Sequence, residues 1–243
     1  MMFLNVQTES SWQQRLFWIS HLFLITTVVL WINPVTFPVL QHWDFAIFKT
    51  LNDSLEARPF WQQFWGTLNH PLESKLTLII AGIFNLWALH ATKDPNRRKI
   101  RLKQTIYFWI CFEIGWQLQN SIFHQLLHVV RDSPSLVLQP VIKLSTVLDN
   151  PLIKDSSSTS FPSAHAFSLT YWASFTALSS PKKVAIPGIL FASFFCLPRL
   201  FGGAHWFSDV FFGTLLAFVW LSWVLNMPWY RWVTKPTPQS PRI

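Results

Sequence analysis

Six apolar stretches, at about 16–33, 76–92, 105–126, 164–180, 184–201 and 208–226, set what this chain can fold into. Each approaches the roughly 20 residues that carry a helix across about 30 Å of hydrocarbon. None shows the strict alternation of a barrel strand, and 7 Gly are few for a β-barrel. With 51% of residues hydrophobic and 12% charged, the chain is too apolar for an ordinary soluble domain. Its 15 Trp and 23 Phe suit the aromatic belts of membrane–water interfaces. The expected fold is all-α: a polytopic membrane protein with a six-transmembrane-helix bundle, forming one domain over 1–243. The mixed segment 44–66 sets Phe45, Phe48, Leu51, Phe60, Trp61, Phe64 and Trp65 among polar residues and is expected to lie along the interface, on the periplasmic side.

The formal net charge of +8 does not point to nucleic acid, because the basic residues fall in short connections between apolar runs. Basic loops stay cytoplasmic, and the 92–104 connection holds Lys93, Arg97, Arg98, Lys99, Arg101 and Lys103. Threading six helices puts Lys182, Lys183, Arg231, Lys235 and Arg242 on that same side, with both termini. The opposite face receives 34–75, 127–163 and 202–207, which is periplasmic for a protein of a Gram-negative inner membrane. The first apolar run lacks a basic leader and a small-residue cleavage site, so it is expected as an uncleaved anchor. Cys111 and Cys196 fall inside predicted spans, where a thiol acts as a small apolar group.

Polar and titratable residues at membrane edges are costly and need a reason to be there. Three clusters of them fall on the outer side: Arg131 to Pro134, Phe161 to His165, and Pro198 to Asp209. His205 and Asp209 are four residues apart, which places them on one face at the start of a helix. A carboxylate holding one ring nitrogen leaves the other free to attack, and phosphorus is a suitable target. Arg199 offers a planar fork for phosphate oxygens, and Gly202 and Gly203 let backbone approach closely. Pro162 and Ser163 read as a helix start, whose unpaired N–H groups face an anion. His165, two residues on, is placed to give and take a proton. A lone interfacial His or Arg is more often a snorkelling or capping residue, and the convergence of three clusters overturns that reading. The third span carries Glu113, Gln117, Asn120 and His124 at offsets of 0, 4, 7 and 11, one helical stripe that must face protein or water. Structural polar packing is the plainer role for that stripe, with His124 nearest the site and able to bind phosphate when protonated.

These clusters, spanning 124–209, resemble the three-part signature of the type-2 phosphatidic acid phosphatase and haloperoxidase superfamily. Pro162, Ser163 and His165 fill its middle motif, and Arg199, His205 and Asp209 have the spacing of its last. In the first motif, His124 stands at the lysine position and Asp132 at the proline position. A narrower resemblance, to the lipid A phosphotransferases, rests on Arg131, Ser133 and Pro134, on Lys154 and Asp155, and on Gly203 through Phe207 with Asp209. It extends over most of the chain, including Asp44 and the Arg97, Arg98 loop, and departs at Ser163 and Ala164, where that subfamily has Gly and Asp. The resemblance implies His205 as nucleophile, Asp209 as its orienter, and His165 as acid and base. It implies Arg131, Arg199 and Ser163 as phosphate binders, with Lys154 or His124 replacing the missing lysine. No metal and no cofactor are implied. The expected lipid partners are undecaprenyl diphosphate as donor and the 1-phosphate of lipid A as acceptor. The same residues suit a phosphatase of undecaprenyl diphosphate or of another lipid phosphate. A non-enzymatic lipid transporter and a haloperoxidase fit less well, the first because of the two-histidine constellation and the second because of the spans.

Overall fold

Proline at the first turn opens seven of the helices in the computed structural model, which describes residues 6–235. Proline suits that position because its missing N–H would have no partner there. Helix α1 (Val6–Ile32) is followed by α2 (Phe37–Asp53), α3 (Pro59–Leu68), α4 (Pro71–His90) and α5 (Pro95–Asn120). The last of these runs on into a π-helical turn, Ser121–Leu126. Two one-turn helices, α6 (Pro134–Val137) and α7 (Leu144–Val147), sit in the long connection that follows. Then come α8 (Ala164–Ser179), α9 (Lys182–Phe195), α10 (Pro198–Phe201), α11 (Phe207–Asn226) and α12 (Pro228–Thr234). Among the described residues there is no strand, only an isolated bridge between Arg131 and Thr159.

Four stretches are long and apolar enough to cross a membrane: Ser11–Ile32, Pro71–His90, Lys182–Phe201 and Phe207–Asn226. The other two expected spans fall short of that standard for different reasons. Beyond its basic first turns α5 still carries Gln104, Glu113, Gln117, Gln119 and Asn120, which keep it too polar, and α8 has only 16 residues. Yet α8 is the centre of the bundle, packed against α11, α9 and α5. One side buries Phe167, Tyr171 and Phe175 with Phe108 of α5, and another buries Leu169, Trp172 and Ala173 with Ala81 of α4 and Ala192 of α9. A helix apolar all round belongs inside a bundle, where its neighbours replace lipid.

The two ends of the bundle differ. At one, Asn226 donates to the Gln13 carbonyl at 3.3 Å, and Lys103 lies 5.5 Å from the Trp232 ring. The start of α1, the end of α11, α12 and the basic 93–103 segment therefore share one end. Arg242 and the termini themselves lie outside the described residues. The opposite end carries a cap with its own small core. Leu55, Trp65, Leu144, Ile153 and Phe201 are buried together there, and the Trp65 and Phe201 rings stack 4.0 Å apart. The 44–66 segment is helical, made of the second half of α2 and most of α3. It breaks between α2 and α3, where Ala57 takes a φ of 50°, and its aromatic face packs onto the 142–153 loop. Enough apolar surface exists in that loop to cover the rings, which sequence periodicity alone does not reveal.

Candidate active site

A cavity of about 680 Å³ opens where α4, α5, α8 and the α10–α11 turn meet. Lys154, His165, Arg199 and His205 line its polar half, and Trp109, Phe112, Leu169 and Trp172 line its apolar half.

His205 sits in the turn between α10 and α11. Gly203, with φ 80°, occupies the left-handed region, and a Cβ there would press on Phe48 and Ser135 at 3.0 Å, so the turn needs glycine. The Arg199 carbonyl then accepts from the N–H groups of Ala204 and His205 at 3.1 and 3.2 Å. His205 Nδ1 lies 2.8 Å from the Ser160 carbonyl oxygen. A carbonyl only accepts, so Nδ1 carries the hydrogen and Nε2 keeps its lone pair. That is the tautomer a nucleophile at Nε2 requires.

Asp209 does not hold the ring in the way the four-residue spacing suggests. His205 precedes α11 by two residues, and the Asp209 carboxylate is turned back onto the helix start. Its Oδ2 accepts from the Trp206 N–H at 2.8 Å and stands 3.7 Å from His205 Nδ1, beyond hydrogen-bond range. Asp209, fully buried, fixes the chain segment that carries His205 and supplies negative charge beside Nδ1.

His165 is the second residue of α8. Ser163 caps that helix, its Oγ accepting from the Ala166 N–H at 3.3 Å, and its own N–H donates to the Asp209 carbonyl at 3.0 Å. Gly213 of α11 faces the Ser163 carbonyl so closely that a Cβ would collide with it. The starts of α8 and α11 are locked together by backbone, which brings the two histidines to one cavity. His165 Nε2 lies 3.0 Å from the Phe195 carbonyl, so by the same donor logic Nδ1 is its proton-exchanging atom. Ser163 itself is buried at the helix start and does not line the cavity.

The two arginines have separated. Arg199 lines the cavity and donates to Glu73 Oε2 and to the Ser74 hydroxyl, both at 3.2 Å, and to Asn69 at 3.4 Å. Arg131 stands behind His205, outside the cavity lining. It donates to Asp209 Oδ1 at 2.5 Å, Ser208 Oγ at 2.8 Å and Asp44 Oδ2 at 2.7 Å, between the rings of Trp31 and Trp206. Two carboxylates on one guanidinium leave no net positive charge for a phosphate. Lys154 is exposed, lines the cavity, and makes no ion pair among the described residues. His124 is not in the cavity either. It lies inside the π-helical turn, whose wider winding breaks the stripe that a continuous α-helix would have drawn, and its Nδ1 is buried without a partner.

Glu73 was not legible as a site residue. It lies just before an apolar window and reads as part of a loop, whereas it opens α4 and is buried with Oε1 3.6 Å from His165 Nε2. The Pro71 that precedes it is the one available signal, marking a helix start. The Ser160 carbonyl, as a backbone group, leaves no trace in sequence.

The sequence model of the PAP2 superfamily matches residues 109–233. The chain belongs to the PAP2 superfamily. It is also 27% identical, over 200 residues, to the lipid A 1-diphosphate synthase of Escherichia coli (strain K12), covering 82% of this chain and 81% of that one. In fold it matches the crystal structure of the first transmembrane PAP2 type phosphatidylglycerolphosphate phosphatase from Bacillus subtilis, with a TM-score of 0.50 and 20% identity, over 85% of this chain and 92% of that chain. This PAP2 member is therefore a multi-pass membrane enzyme, a lipid phosphotransferase or a lipid phosphatase.

Proposed function

We propose that the protein transfers the distal phosphate of undecaprenyl diphosphate to the 1-phosphate of lipid A, through a phosphohistidine on His205. The observation that carries this reading is a cavity that joins two histidines of fixed tautomer and two cations to an aromatic wall. A relative whose name specifies lipid A 1-diphosphate supports the acceptor. In the first step His205 Nε2 attacks the distal phosphorus. The N–P bond forms as the P–O bond to the bridging oxygen breaks, and undecaprenyl phosphate leaves with the electron pair. In the second, an oxygen of the lipid A phosphate attacks the same phosphorus and the N–P bond breaks, returning the pair to Nε2. His165 enters the first step with a proton on Nδ1 as well as Nε2, gives the Nδ1 proton to the departing oxygen, and regains it there from the acceptor in the second step. Arg199 and Lys154 hold phosphate oxygens, and Asp209, Arg131 and Ser163 hold the segments that carry the histidines.

Six helices, α1, α4, α5, α8, α9 and α11, span the inner membrane in this reading, with both termini cytoplasmic and the cavity at the periplasmic face. The basic 93–103 segment at the far end from the cavity supports that orientation. Both substrates keep their tails in the bilayer while their anionic heads meet a cationic site at its edge.

The test is to incubate purified enzyme with undecaprenyl diphosphate labelled in its distal phosphate, with and without lipid A. Label on lipid A is expected. Label appearing only as inorganic phosphate in both reactions makes the protein a phosphatase and overturns the acceptor assignment.

A further inference from the structure

Glu113 stands on α5 in the apolar half of the cavity, one turn from Trp109 and close to Phe112 and Trp116. It is exposed as well as cavity-lining, which places it at the mouth. The other titratable groups of the cavity wall, Lys154, His165, Arg199 and His205, are gathered in the polar half. A carboxyl group among membrane-embedded rings is costly and marks a function or a partner. A structural partner is not what it has. Its hydrogen bond, at 2.9 Å, comes from Gln117 Nε2 on the same helix, and it makes no ion pair among the described residues. The bond therefore joins α5 to nothing else. Gln117 is exposed too, so the pair presents oxygen acceptors outward, with capacity beyond the bond between them.

We propose that Glu113 and Gln117 form a hydrogen-bond-accepting subsite that selects a lipid carrying hydroxyl or amide N–H donors close to its phosphate. A polyprenyl chain is hydrocarbon throughout and offers this pair nothing, so the subsite serves the second lipid. That lipid is one whose chains are attached through amides or bear hydroxyl groups. Its phosphate reaches Arg199 and Lys154 while its donors lie against α5. This deepens the phosphoryl-transfer reading by naming the class of lipid that shares the cavity, and it is tested by binding rather than by turnover.

The experiment measures binding of two phosphorylated lipids of equal chain length to the full-length protein in nanodiscs, by native mass spectrometry. One carries amide-linked hydroxyacyl chains, and the other is a dialkyl phosphate with no donors. The wild type is expected to bind the first about tenfold more tightly, the worth of a hydrogen bond to a charged group. Glu113→Leu is expected to remove that preference while leaving the dialkyl lipid within about twofold, and Gln117→Leu to reduce it by about threefold. Glu113→Gln, which keeps an acceptor oxygen and the side-chain shape, is expected to keep most of it and so separates recognition from misfolding. Equal binding of the two lipids by the wild type overturns the proposal, as does an equal loss of both in Glu113→Leu with normal folding in Glu113→Gln. Failure of label transfer to lipid A with the preference intact removes the acceptor assignment and leaves the subsite standing.

Discussion

Arg131 and Arg199 arrive from the sequence as equals, two arginines in two parts of one signature, and the fold gives them opposite surroundings. Arg131 is clasped by Asp44 and Asp209, which are 2% and 0% exposed, and stands outside the cavity. Arg199 faces a single carboxylate, Glu73, and lines the cavity wall. A single carboxylate competing for a guanidinium is more easily displaced than two, and the side of the wall the guanidinium faces decides whether it can reach a phosphate. Motif membership does not. Arg131 ties α2 to α11 through Asp44 and Asp209, and Arg199, on the cavity wall, is the arginine proposed to meet the substrate.

The difference can be broken most forcefully at Arg131. Arg131→Met leaves two buried carboxylates without their counter-charge and is expected to cost about 3–5 kcal/mol of stability, read as a large fall in thermal midpoint in detergent. A variant as stable as wild type but unable to bind donor would place Arg131 with the substrate instead. Arg199→Lys is expected to do the reverse, with a near-normal midpoint and a loss of about 100-fold in kcat/KM, because the planar fork on the phosphate is gone. Gly213→Ala tests the lock between the two histidine-bearing helix starts. Its Cβ meets the Ser163 carbonyl, and about 1–3 kcal/mol of destabilisation with a parallel fall in kcat is expected. Glu73→Gln removes the charge that competes for Arg199 and is expected to lower the KM for undecaprenyl diphosphate about threefold, on the order of 1 kcal/mol, while kcat falls as His165 loses its neighbour. A raised KM would make Glu73 a substrate ligand. His124→Leu is the smallest, expected to leave activity and midpoint within about 0.5 kcal/mol of wild type, since the ring reaches neither cavity nor partner.

Most of the bundle was legible because it is written in apolar run length, a one-dimensional property. The turn at Pro181 between α8 and α9, and the start of α8 at Ser163, follow from local helix chemistry and appear where that chemistry puts them. Within the candidate site, spacing points to His165, Arg199 and His205 and the family resemblance adds Lys154, and all four line the cavity. It misled at three places for three physical reasons. The four-residue spacing of His205 and Asp209 suggests one helix, but the helix begins only after Trp206, so the carboxylate caps it and stays 3.7 Å from the ring nitrogen. The Glu113 to His124 stripe assumed an α-helix through a segment that winds as π. Arg131 was assigned by its motif, with no view of Asp44 arriving from α2, 87 residues earlier in the chain. Glu73 and the Ser160 carbonyl matter through contacts made across the fold, which no local pattern encodes.

The phosphohistidine is the centre of this account, and a single-turnover experiment addresses it most directly. Undecaprenyl diphosphate labelled in the distal phosphate is mixed with excess enzyme, the reaction is quenched in alkali, and the labelled peptide is located by mass spectrometry. Label is expected on the His205 ring, chased onto lipid A when that lipid is added, and absent in His205→Ala. Transfer of label to lipid A by His205→Ala, or a phosphorylated residue other than His205 in the wild type, would contradict it.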